Sequence, residues 1–129
     1  MRLLVDTHVL LWAVAEPQKL SKASQAKLEA EENEVLFSAA SIWELAIKLQ
    51  IGRLFLPIKL EDITAAAKLM GFAELPVSAA HAAGVRDLPL YHRDPFDRVL
   101  VAQAIHEPAR LLTANAVLGQ YSNLVEIIV

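Results

Sequence analysis

Arg2-Leu3-Leu4-Val5, Val35-Leu36-Phe37 and Leu111-Leu112-Thr113 are short runs, apolar almost throughout, and longer stretches with helical spacing separate them. A strand without polar alternation has to be covered on both faces. That is the situation of a parallel sheet held between helices. The pattern predicts an α/β fold, a three-layer α/β/α sandwich with a central parallel sheet and right-handed crossovers. Leu75 to Val77 and Val125 to Val129 are the remaining strand candidates.

Helical spacing begins at Leu10, Leu11 and Val14, and residues 21–31 form an amphipathic stretch with Ser21 as N-cap. Ser41 to Gln50 reads as a strong helix ending near Gly52, and Leu60 to Met70 as one closed by Gly71. Ser78 opens a small helix running into Gly84. Asp94-Pro95 starts a helix that is apolar on most sides through Ile105, which predicts a central position for it. With 129 residues and no linker or repeat, residues 1–129 read as one domain.

The polar residues that end the apolar runs carry the functional signal. In a parallel α/β sheet, sites form at the carboxyl edge, where strands give way to helices. Asp6, Ser38 and Asn115 stand at such ends, and Glu44, Asp94 and Asp97 are expected in first turns of helices. Each acid alone has a structural explanation. Ser41 and Glu44 match the S-x-x-E capping box, and Glu44 and Lys48 are an i,i+4 pair. Asp94-Pro95-Phe96-Asp97 reads as N-cap, N1 proline and N3 acid, and Asp6 can cap a helix starting at Thr7.

Capping does not explain gathering these charges on one edge. Two unit charges about 4 Å apart repel by roughly 4 kcal/mol at an effective dielectric of 20. Either some carboxylates hold protons or a cation sits among them. The chain has no cysteine, so the candidate ligands are oxygens and the ion expected is Mg²⁺ or Mn²⁺. Such a centre suits phosphodiester hydrolysis. Asp6, Glu44 and Asp97 are the expected metal ligands, with Asp94 and Asn115 as further catalytic candidates. Thr7, His8, Ser38, Lys48, Arg53, His92, Arg93 and Arg98 are candidates for contact with the substrate.

Composition limits the alternatives. A net charge of −3 gives no basic footprint for nucleic acid, so phosphate contacts have to come from local cations. A hydrophobic fraction of 55% excludes a disordered chain and suits a buried partner surface. The apolar start imitates a secretory signal, but Asp6 and His8 interrupt it and leave it far short of a membrane span. A cytoplasmic protein without a membrane partner is therefore expected.

Asp6-Thr7-His8-Val9-Leu10-Leu11-Trp12, Ser38-Ala39-Ala40-Ser41-Ile42-Trp43-Glu44, His92-Arg93-Asp94-Pro95-Phe96-Asp97-Arg98 and Leu112-Thr113-Ala114-Asn115 together resemble PIN-domain nucleases, with most likeness to VapC-type toxins. The four blocks occur in family order over nearly the whole chain. The resemblance implies an α/β/α sandwich, Mg²⁺- or Mn²⁺-dependent endoribonuclease activity, an RNA substrate, a cognate antitoxin and a homodimer. It assigns Asp6, Glu44 and Asp97 as first, second and third acids, with Asp94 as runner-up for the third. Asn115 stands where the family often has a fourth acid, which weakens the expectation of a second ion.

Three other readings stand beside this one. A phosphotransfer protein could use an aspartate after its first strand, but the haloacid-dehalogenase-like pattern wants an acid where this chain has His8. A PIN-like interaction module could keep the fold without cutting, and a nuclease of the same chemistry could act on DNA.

Overall fold

The structure, a computed structural model, describes residues 1–128. Its centre is a five-stranded, fully parallel sheet built from β1 (Arg2–Val5), β2 (Glu34–Ser38), β3 (Ala73–Leu75), β4 (Arg110–Thr113) and β5 (Val125–Ile127), in the order β3-β2-β1-β4-β5. Six α-helices accompany it: α1 (Thr7–Ala15), α2 (Lys22–Glu29), α3 (Ala39–Gln50), α4 (Leu60–Leu69), α5 (Ala79–Gly84) and α6 (Pro95–His106). This is the expected α/β/α sandwich.

The continuous apolar runs account for the layering. Leu3, Leu4 and Val5 are all fully buried, because β1 is central and covered on both sides. Side chains alternate across the sheet. Leu3, Val5, Val35 and Phe37 therefore pack with Val9, Leu10, Leu28, Leu45, Ile63 and Ala67 of α1 to α4, while Leu4, Leu36 and Leu111 pack with Leu100, Val101 and Ala104 of α6. The central position read for α6 is correct.

Several boundaries differ from the sequence reading, each for a local reason. Helix α3 follows β2 without a loop, starting at Ala39 rather than Ser41, because the Ser38 hydroxyl accepts the Ala40 N–H and caps it. Ser41 and Glu44 are thus inside the helix, not at its start, and no capping box joins them. Strand β3 lies at residues 73–75 rather than 75–77. Leu75 pairs with Ser38, and Pro76, lacking an N–H, follows directly. Gly71, with φ at +91°, makes the turn into it from α4. A capping box does occur at Ser78 and His81, where histidine fills the place usually held by Glu or Gln. Strand β5 ends at Ile127, and Val129 of the expected strand lies outside the described residues. Among the described residues no helix is long and apolar enough to cross a membrane.

The strand order reverses direction at β1. The chain moves outward through β2 and β3 on one side, then returns to place β4 and β5 on the other. Such a switch point leaves a crevice at the carboxyl ends of the two central strands. Asp6 follows β1 there, and its N–H donates to the Leu112 carbonyl at 3.0 Å.

Candidate active site

The crevice is a cleft of about 330 Å³, into which Asp6, Glu44, Asp94 and Asp97 converge with Lys48 and Asn115. Thr7, His8, Trp12 and Ala114 complete its wall. A larger hollow of about 460 Å³ lies where β2 and β3 begin, between Leu28 and Phe72, and gathers only Glu29 and Glu31 as charged groups. The cleft is where the candidate chemistry sits.

Asp6 is 4% exposed and both its oxygens are occupied. Oδ1 accepts the Val9 N–H at 2.8 Å, capping α1 as expected, and Oδ2 accepts the Thr113 hydroxyl at 2.5 Å. Burial pushes the Asp6 carboxyl above its ordinary value of 3.8, against the pull of the Thr113 and Val9 hydrogen bonds and of His8, with the Glu44 charge adding to the rise. Glu44 is equally buried. Its Oε1 accepts the Thr7 hydroxyl at 2.7 Å, and its Oε2 meets Lys48 Nζ at 2.5 Å, so the i,i+4 pair forms. The second Thr7 neighbour, Ser41 Oγ at 3.0 Å, completes a buried hydroxyl relay behind the carboxylate. The Lys48 ammonium is held above its ordinary range, first by its hydrogen bond to Glu44.

At the other wall Asp94 caps α6, its Oδ1 accepting the N–H groups of Phe96 and Asp97 at 2.8 and 3.1 Å. Asp97 lies one turn in, with Oδ2 2.9 Å from His92 Nε2. Burial pushes the Asp97 carboxyl up as well. The His92 hydrogen bond opposes this, while the charges of Asp94, Glu44 and Asp6 reinforce it. That mutual influence is the physical signature of acids sharing one field.

The remaining sequence candidates divide. Asn115 caps a short 3₁₀ turn with its side-chain oxygen on the Val117 N–H, so its amide donors are what it offers the cleft. Ser38 is fully buried as the α3 cap, and Arg53 and Arg93 are exposed outside the cleft wall. Arg98 does not fit its expected role of flanking the acids as a phosphate-binding cation. It is 7% exposed, and its guanidinium donates to the carbonyls of Val85, Leu88, Pro89 and His92 and to the Tyr121 hydroxyl. Five acceptors at fixed positions satisfy the fork inside the protein.

Sequence reasoning missed Thr113 and Tyr121. Thr113 was legible in principle, since it ends β4 as Asp6 ends β1 and the two strands are neighbours. Nothing local marks Tyr121 as the support of a loop 29 residues away.

The donor set suits a hard or borderline divalent ion. Carboxylates come from three separate elements, thiolates are absent, and Asp6 and Asp97 are held above their ordinary range by burial, with the charges of neighbouring acids adding to it. A pH dependence follows. With both carboxyls raised, the folded chain keeps these protons to higher pH than the unfolded chain does. The stability they contribute is complete below 3.8 and is lost as pH climbs through the folded values. Glu107, held below its ordinary 4.5 chiefly by His81, acts in the opposite sense only beneath that value. Metal-free protein is therefore expected to melt at progressively lower temperature as pH rises from about 4.5 toward neutrality. Calorimetric scans across that range, repeated with Mn²⁺, check this; the cation should flatten the slope.

The PIN domain family model matches residues 3–124. Ribonuclease VapC22 of Mycobacterium tuberculosis is 33% identical over 116 residues, which cover 87% of this chain and 85% of that protein. The crystal structure of VapBC2 from Rickettsia felis, bound to a DNA fragment from its promoter, matches with a TM-score of 0.73 across the full length of both chains. At 19% identity that likeness concerns the fold alone.

Proposed function

The chain belongs to the PIN-domain family, and from that premise we propose that it is a divalent-metal-dependent endoribonuclease, the toxin of a toxin–antitoxin pair. One observation carries the reading. Four carboxylates from the starts of α1 and α6 and from inside α3 face one cleft at the sheet's switch point, with a lysine among them.

Asp6 and Asp97, first and third acids, are proposed to hold the ion, Mg²⁺ or Mn²⁺, with Glu44, the second acid, as a further ligand directly or through water and Asp94 beside Asp97. Bound there, such an ion polarises a phosphoryl oxygen and raises the acidity of water. Glu44, fixed by Thr7 and Lys48, orients the attacking water and receives its proton. Lys48 meets the scissile phosphate, Asn115 offers its amide N–H groups to substrate or water, and Thr7 and His8 line the path of the chain. Arg53 and Arg93, both exposed, meet phosphates farther along the RNA.

The partners follow from the same reading. Ile51, Phe55, Leu69 and Leu90 leave large apolar groups in solvent, which supports a protein partner, here the antitoxin. An apolar groove of about 320 Å³ between α3 and α6, where Trp43 meets Phe96 edge to face, supports a homodimer. Light scattering of the isolated chain reads that state, and a monomer at micromolar concentration would remove it. An RNA substrate and an antitoxin partner support a cytoplasmic location.

The deciding experiment offers structured RNA and DNA to antitoxin-free protein with Mg²⁺ or Mn²⁺. RNA is expected to be cut, EDTA to stop the reaction, and Asp97→Asn to lower the rate by on the order of 10³-fold with the fold intact. Cutting that survives EDTA and Asp97→Asn would reject the site. Cutting of DNA alone would reassign the substrate, and an inert wild type would leave a binding module.

A further inference from the structure

Among the described residues, two groups of histidine and carboxylate side chains bring donor atoms within 4.8 Å of one another: His81, His106 and Glu107, and His92, Asp94 and Asp97. The first is already committed. His81 Nδ1 accepts the Ser78 N–H at 3.0 Å, so the ring proton resides on Nε2, where it faces Glu107 Oε2 at 2.6 Å. Arg2 takes the other Glu107 oxygen. An ion on His81 Nε2 would force the ring proton onto Nδ1, against the Ser78 N–H.

His92 is built differently. Its backbone, not its ring, is what the neighbours grip. The N–H donates to the Tyr121 hydroxyl at 2.8 Å, and the carbonyl accepts Arg98 Nη1 at 3.2 Å. The imidazole is thereby aimed at Asp97, yet its Nδ1 stays free to carry the proton, as a metal-bound ring requires. Asp94 uses Oδ1 for capping, and its Oδ2 has no hydrogen bond among the described residues. Donors at about 2.1 Å from an octahedral ion stand about 3.0 Å apart along a cis edge. His92 Nε2 and Asp97 Oδ2 are already 2.9 Å apart. That spacing suits two cis donors; an ion would sit beside the N···O line, so the imidazole has to turn until its Nε2 lone pair meets it.

We propose that His92 is a nitrogen ligand, which together with Asp97 and Asp94 forms a metal position in the cleft that favours Mn²⁺ over Mg²⁺. Imidazole binds transition ions far better than it binds Mg²⁺, which keeps its water and prefers oxygen. The proposal rests on reading the cleft as a metal centre.

The test loads the full chain with Mn²⁺ and records pulsed electron paramagnetic resonance for nitrogen-14 modulation, with parallel calorimetric titrations of Mn²⁺ and Mg²⁺. Wild type is expected to show the modulation. His92→Gln should abolish it and narrow the Mn²⁺-to-Mg²⁺ affinity ratio by roughly tenfold or more, while its circular dichroism matches wild type because the Tyr121 and Arg98 contacts are to backbone. Bound Mn²⁺ without nitrogen modulation in wild type overturns this inference alone and leaves the nuclease reading standing. Modulation that persists in His92→Gln overturns it too, pointing to His8. Failure of wild type to bind Mn²⁺ at all overturns both.

Discussion

Asp6→Asn removes RNA cleavage, by on the order of 10³-fold or more in kcat, and leaves metal-free protein more heat-stable than its parent at neutral pH. The two effects have one cause. Asp6 is a carboxylate that burial holds above its ordinary range, so its ionisation at neutral pH costs the folded state free energy. Asparagine keeps the side-chain oxygen that accepts the Val9 N–H, so the α1 cap survives. Its amide group donates to Thr113 in place of receiving that hydroxyl. The charge alone is lost. A paired measurement of cleavage rate and melting temperature checks this. An inactive variant that also melts earlier would mean that Asp6 acts as a structural cap, and a variant that still cuts would remove it from the chemistry.

Arg98→Met destabilises the protein by on the order of 3 kcal/mol, the largest stability effect expected of a single charged residue here. Methionine fills similar space but leaves the carbonyls of Leu88 and Pro89 without a donor in a half-buried loop, and strips one donor from those of Val85 and His92, which keep the Leu88 N–H and the Tyr121 hydroxyl. Each orphaned carbonyl costs about 1–3 kcal/mol less whatever water returns. Arg98→Lys should fall between, since an ammonium cannot span the fork of acceptors. Denaturant titrations of the three proteins provide the comparison. A loss under about 0.5 kcal/mol for methionine, the usual size of a surface change, would show that the loop holds itself. Because this loop aims His92 at Asp97, activity should decline with the stability.

The two variants also mark what the sequence could and could not convey. Strand identity was legible because the inner residues of β1, β2 and β4, Leu3 to Val5, Val35 to Phe37 and Leu111-Leu112, run apolar without polar alternation, which a doubly covered sheet tolerates. The convergence of Asp6, Glu44, Asp94 and Asp97 in one cleft was legible because topology carries strand ends and helix starts to a common edge. Asp94 capped α6 as read, since the proline after it leaves few other arrangements.

Where the reading failed, two arrangements shared one pattern. Ser41-x-x-Glu44 fits a capping box and equally fits two neighbours on one helix face; the choice depended on Ser38 capping three residues earlier. Arg98 sits among acids in sequence, and its direction is fixed by carbonyls of residues 85–92 that pattern alone cannot place. The Thr7–Ser41–Glu44 relay joins residues 34 and 37 positions apart and leaves no local trace.

The Asp6–Thr113 hydrogen bond spans 107 residues, across a sheet whose every pairing is parallel. On a ribosome adding about 5–20 residues each second, the N-terminal aspartate therefore waits roughly 5 to 20 s for its hydroxyl donor to be made. Until β4 has been translated and slotted beside β1, the cleft that gathers these acids does not exist.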